Sequence, residues 1–209
     1  MTDTVMPRVA PGLDELHALR ADVYRLLARL LREAPDATLL DWLAGLEVED
    51  DGSALTGPWR ELIASARDAS VDALTRAHFR HLVGVIQGDV TPYASWYRNG
   101  ELMDEALVAL RRDLKALGFE RSERTRDPED HLAALCEVMA LLIEARAPAE
   151  ARFFMAHLAP WASHCLADLA AVESPFYARL GRLGQAFIDT EEALLAGEAA
   201  QDPVRLVEP

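Results

Sequence analysis

The chain has 209 residues, 51% of them hydrophobic, which suffices for one sizeable core and is short for two, so a single domain is expected. Thirty-five acidic residues against 21 basic ones give a net charge of -14. That charge repels a phosphate backbone and an anionic membrane surface, argues against a nucleic-acid partner, and favours a cationic ligand such as a basic peptide.

The N-terminal residues MTDTVMPRVAPGLDEL lack the charged start and apolar stretch of a signal peptide. No apolar run approaches the roughly 20 residues that cross a bilayer. The expectation is a soluble, cytoplasmic protein with a flexible segment at 1–12, a helical domain over 13–197 and a frayed tail at 198–209. Its two cysteines, Cys136 and Cys165, fall inside apolar stretches and read as buried thiols of a reducing compartment.

Along the chain, Leu16, Leu19, Val23, Leu26, Leu27, Leu30 and Leu31 recur at spacings of three and four, predicting an amphipathic helix over 13–31. Ala34-Pro35-Asp36 interrupts it, and a shorter helix over 39–46 stops in an acidic loop at 47–52. Helices are predicted over 58–66 and 71–85. The segment 88–98 then has no helical period, but holds Tyr93, Trp96 and Tyr97 within five residues and reads as an ordered loop joining two helical halves.

After the loop, a helix is predicted over 102–117, ending at Gly118, then a charged connector at 120–127. Three further helices are expected over 128–145, 149–172 and 175–195, separated by Pro148 and by Ser174-Pro175. The fold class is therefore all-α: a single-domain bundle of about eight helices, monomeric or exchanging helices between protomers.

Several chemistries are missing by motif. None of the six histidines has Glu three residues before it, which excludes the Glu-x-x-His pattern of di-iron bundles. His78 and His81 share a helix face without carboxylate or thiol companions and read as polar-face histidines, not as metal ligands. No phosphate loop, dinucleotide fingerprint or nucleophile elbow occurs, so no cofactor and no catalytic residue is expected.

The constellation with chemical content is Asp127-Pro128-Glu129-Asp130-His131, read as the start of the 128–145 helix. Plain capping accounts for Asp127 as the N-cap, Pro128 at the first position and Asp130 as a third-position partner. His131 is not explained by capping. A partly exposed Asp130 and His131 would form a polar pair able to accept hydrogen bonds from an arginine guanidinium. Both readings stand on the sequence.

The segment His78-Phe79-Arg80-His81-Leu82-Val83-Gly84, then Pro92-Tyr93-Ala94-Ser95-Trp96-Tyr97, Gly100-Glu101-Leu102-Met103, Leu117-Gly118-Phe119 and Pro128-Glu129-Asp130-His131 resembles, in order and spacing, the TorD/DmsD/NarJ-type redox-enzyme maturation chaperones. The resemblance implies an all-helical, non-enzymatic chaperone. Such a protein binds the N-terminal twin-arginine signal peptide of a molybdopterin oxidoreductase and holds the apoenzyme for cofactor insertion before export. It also implies a peptide-binding site of Tyr93, Ser95, Trp96, Pro128, Asp130 and His131. The alternatives are an assembly factor for a membrane-bound reductase that is not exported and, with less support, a nucleotide hydrolase.

Overall fold

Helix α1 (Leu13–Arg32) buries Leu26, Leu27, Leu30 and Leu31 of the stripe expected from the sequence, together with Ala21, Tyr24 and Ala28, whereas Leu16 and Leu19 at the start of that stripe are exposed. Asp14 and Glu15 in its first turn and Arg29 and Arg32 in its last complement the helix dipole. The computed structural model describes residues 12–85, 87–103, 105–120 and 127–199. The N-terminal segment expected at 1–12 lies outside these residues apart from Gly12, and most of the charged connector lies outside them too.

Asp36 caps α2 (Ala37–Gly45) by accepting from the Leu39 N–H at 2.8 Å, and α3 (Thr56–Arg67) follows the acidic loop. Ser70 caps α4 (Val71–His78), which passes into a π-turn at Phe79–Val83. The 88–98 segment is ordered, as expected, and also contains a short helix, α5 (Ala94–Asn99). Tyr97 anchors α5, stacking on Trp161 at 5.6 Å and donating its hydroxyl to Asp168 at 2.7 Å. Helix α6 spans Glu105–Ala116, and Leu102 and Met103, which the apolar pattern places in it, are not helical.

Helix α7 (Leu132–Glu144) is covered along most of its surface, with Leu132, Leu135, Cys136, Met139 and Ile143 all in the core. The single helix expected over 149–172 is two, α8 (Glu150–His157) and α9 (Ala162–Ala170). Pro160 explains the break, because its ring removes a hydrogen bond and collides with the preceding turn. Helix α10 (Pro175–Ala199) runs past the expected end at 195 and into the first residues assigned to the tail; residues 200–209 lie outside the described ones.

The two halves interlock as one core, with α1 packed along α7 and α10 against both α3 and α9. The described residues are helical apart from loops and one isolated antiparallel bridge, Tyr93 with His131. Within the bundle, Arg20 donates to both carboxylate oxygens of Glu191, at 2.6 and 2.7 Å, and also to Glu150, tying α1 to α10 and α8. Both cysteines are free and buried, and burial pushes both thiols up. None of the described helices is long and apolar enough to cross a membrane.

Candidate functional site

The π-turn shapes one wall. The Gly84 N–H donates to the Phe79 carbonyl at 2.6 Å, and Gly84 takes a left-handed φ of 68°. The chain then doubles back, and the Val90 N–H donates to the His81 carbonyl at 2.8 Å. A Cβ on Gly84 would fall 2.2 Å from the Gln87 oxygen and one on Gly88 2.6 Å from the His81 oxygen, so only glycine permits the reversal. His78 and His81 are both buried here, not on a polar face as the sequence suggested. His78 donates to the Leu31 carbonyl at 3.3 Å and His81 to the Asp89 carboxylate at 2.6 Å. Desolvation lowers the pKa of His78.

The aromatic loop and the Pro128–His131 motif are stitched together by backbone. The Ala94 N–H donates to the Asp130 carbonyl at 3.0 Å and the Leu132 N–H to the Pro92 carbonyl at 2.8 Å. These bonds frame the Tyr93–His131 bridge, where the two rings meet edge to face at 4.9 Å.

This arrangement corrects the capping scheme read from sequence. Helix α7 begins at Leu132, and its N-cap is His131, whose Nδ1 accepts from the Ala133 N–H at 3.0 Å. An accepting Nδ1 requires a neutral imidazole with its proton on Nε2. Desolvation lowers the pKa of His131 to about 4, with Arg32 and His78 acting in the same sense and the charge of Asp127 opposing. Asp130 is fully buried, and its Oδ2 accepts from both the N–H of Ser95 at 3.0 Å and its hydroxyl at 2.6 Å. The motif bends before α7 because Asp130 caps α5 across the loop instead of its own helix.

Two cavities flank the motif. The first, about 320 Å³, has Leu31, Val83, Pro92, Tyr93, Trp96 and His131 in its walls. The second, about 510 Å³, lies between α6 and α7 over Leu114, Phe119, Val138 and Leu141. Arg32 and Asp127 belong to both linings and mark the join between them.

At that join the charges are unequal in availability. Arg32 is committed to Glu137 at 2.9 Å, and Arg111 grips Glu129 through Nε at 3.0 Å and Nη2 at 2.8 Å. Asp127 is exposed, and the hydrogen bond it accepts among the described residues is a long one, 3.4 Å, from the Tyr93 hydroxyl. Burial, then the Asp127 charge, pushes the Tyr93 phenol up to about 12, so it stays a donor. An open carboxylate between two cavities that each present apolar side chains beside polar ones is equipped to hold a cation with apolar groups close by.

Of the site residues expected from the sequence, Tyr93, Trp96 and His131 line the first cavity and Pro128 lines the second. Ser95 and Asp130 line neither and are buried against each other. Asp127, Arg32 and Leu102 also line the first cavity, and none of them is among the site residues expected from the sequence. Asp127 directly precedes the Pro128–His131 motif and was assigned to capping. Arg32 comes from the far end of α1, and no local signal announces it.

Comparison with known proteins is consistent with this architecture. The family model described as nitrate reductase delta subunit matches residues 48–167, more than half of the chain and both motifs of the site. The chain is 27% identical over 168 residues to the Tat proofreading chaperone DmsD of Salmonella typhimurium, covering 78% of this chain and 79% of that one. It is 32% identical over 73 residues to the chaperone protein TorD of Actinobacillus succinogenes, covering 34% of this chain and 38% of that one. A solved structure of a candidate redox enzyme maturation protein from Archaeoglobus fulgidus shares the fold, with a TM-score of 0.55 at 14% identity over 88% of this chain and 98% of that one.

Proposed function

Because the chain belongs to the nitrate reductase delta subunit family of redox-enzyme maturation chaperones, we propose that its two adjacent cavities bind the N-terminal twin-arginine signal peptide of a molybdopterin oxidoreductase. The chaperone holds the apoenzyme in the cytoplasm until its cofactor is inserted, and it turns over no substrate. The observation that carries this reading is the open Asp127 carboxylate at the join of the cavities. A guanidinium pairs with a carboxylate through two parallel donors, which an ammonium cannot do. The apolar side chains on either side, among them Val83, Trp96, Leu114 and Val138, offer a surface to the uncharged stretch that follows the arginines in such a peptide. The net charge of -14 steers a basic segment toward the protein.

Titration with a synthetic peptide bearing two adjacent arginines and an apolar segment tests the reading. Binding that weakens as salt rises is expected, because the pairing at Asp127 is exposed to solvent. A peptide that fails to bind at low salt overturns it.

The family description names a subunit of nitrate reductase, and a second reading is assembly of a reductase that is not exported. In that case an N-terminal segment without an arginine pair binds at least as tightly as the twin-arginine peptide.

A further inference from the structure

We propose that Asp130 is a positioning residue: acting through the Ser95 hydroxyl, it fixes the backbone at Met103, and with it the neighbouring Leu102 in the wall of the first cavity, as an apolar rim that selects ligands with an apolar segment beside their basic residues. The inference deepens the peptide-binding function and rests on it.

Asp130 and Ser95 are both fully buried, and the Ser95 hydroxyl donates a hydrogen bond to Asp130 Oδ2 at 2.6 Å. The donor proton being spent there, the Ser95 oxygen is left as an acceptor, and it receives the Met103 N–H at 3.3 Å. Met103 takes a φ of 62°, a left-handed conformation that a side-chain-bearing residue adopts only when its surroundings hold it.

This relay ends in water. Met103 is 70% exposed, and Leu102, 49% exposed, stands in the cavity wall with Trp96 and Val83, themselves exposed. A buried carboxylate and hydroxyl thus hold apolar side chains out to solvent, an arrangement that core stability does not require. Methionine is unbranched and polarisable, so it packs against apolar partners of varied shape. The occupant is therefore the apolar segment of a peptide whose basic residue sits on Asp127, which lines the same cavity as Leu102.

Direct contact between Asp130 and an arginine is the competing role, and the geometry opposes it. Asp130 belongs to neither cavity lining, whereas Asp127 belongs to both.

Two peptides separate the roles, one with arginines and an apolar segment, the other with that segment replaced by serines. Ser95→Ala should weaken the first by roughly tenfold, the scale of one lost methionine-sized contact, and leave the second unchanged. It should also preserve the preference for arginine over lysine. Met103→Gly, at an exposed position whose backbone suits glycine, should reproduce the loss, and the double variant should lose no more than either single one. A collapse of the arginine preference in Ser95→Ala, equal weakening of both peptides, or additive losses would overturn the proposal. Should Ser95→Ala fail to fold, Met103→Gly decides alone: an unchanged affinity for the apolar peptide sinks the rim. If the wild-type chain bound neither peptide, the peptide-binding function itself would fall. The relay is then read by the methionine methyl spectrum, where a Met103 signal unmoved by Ser95→Ala contradicts it.

Discussion

The Tyr93 hydroxyl donates to Asp127 at 3.4 Å, long for a hydrogen bond, so the tyrosine orients the carboxylate without consuming it. The aromatic ring, not the hydroxyl, is then what Tyr93 contributes to ligand binding, through its place in the cavity wall and its edge-to-face contact with His131. Tyr93→Phe should change affinity for a twin-arginine peptide by less than about threefold. Tyr93→Ala should lower it by about tenfold, as expected for loss of an aromatic wall. Calorimetry on both variants checks the ratio, and equal losses would mean that the hydroxyl matters more than the ring.

Asp130→Ala bears on stability before it bears on binding. Truncation leaves the Ser95 N–H and hydroxyl without their acceptor in a buried site, at a cost of about 1–3 kcal/mol. Denaturant titration should show the loss at constant slope, which marks lost stability without a change in the surface exposed on unfolding. A variant as stable as the wild type would mean that the Asp130 carboxylate gains nothing from Ser95.

The bundle and its chaperone family were legible in the sequence, the division of labour within the site much less so. Spacings of three and four at Val23, Leu27, Leu30 and Leu31 report a helix because periodicity is local. The break at Pro160 was also available locally, and an apolar run on both sides hid it. The bond from Ser95 to Asp130 spans 35 positions, and nothing in either segment requires it. A carboxylate before a helix reads as a cap for that helix, which is how Asp127 was placed, with Asp130 in the first turn; in the fold the N-cap is His131, and Asp130 accepts from the start of a different helix. The exposure of Asp127 follows from that exchange and is visible only in three dimensions.

Acid should destabilise the chain through its buried histidines. An imidazole in the unfolded chain titrates near 6.5, whereas His131 in the fold titrates at about 4, and His78 and His157 are shifted in the same direction, mainly by burial. The unfolded chain therefore takes up protons first. Stability is complete above about pH 6.5 and is lost as pH falls through about 4, with His131 accounting for a loss on the order of 3 kcal/mol. His131→Asn keeps a capping acceptor and removes the titration, so its melting temperature should fall less than that of the wild type between pH 7 and 4.5. Parallel curves for the two proteins would show that His131 is not the group responsible.

The central claim, that Asp127 receives a ligand arginine, is tested most directly by one calorimetric comparison. Wild type and Asp127→Asn are each titrated with a twin-arginine peptide and with its twin-lysine counterpart. The wild type should prefer arginine by about tenfold, because the guanidinium meets the carboxylate with two donors. In Asp127→Asn both affinities should fall and the preference should disappear. An Asp127→Asn protein that bound the arginine peptide as tightly as the wild type, with the preference intact, would contradict the account.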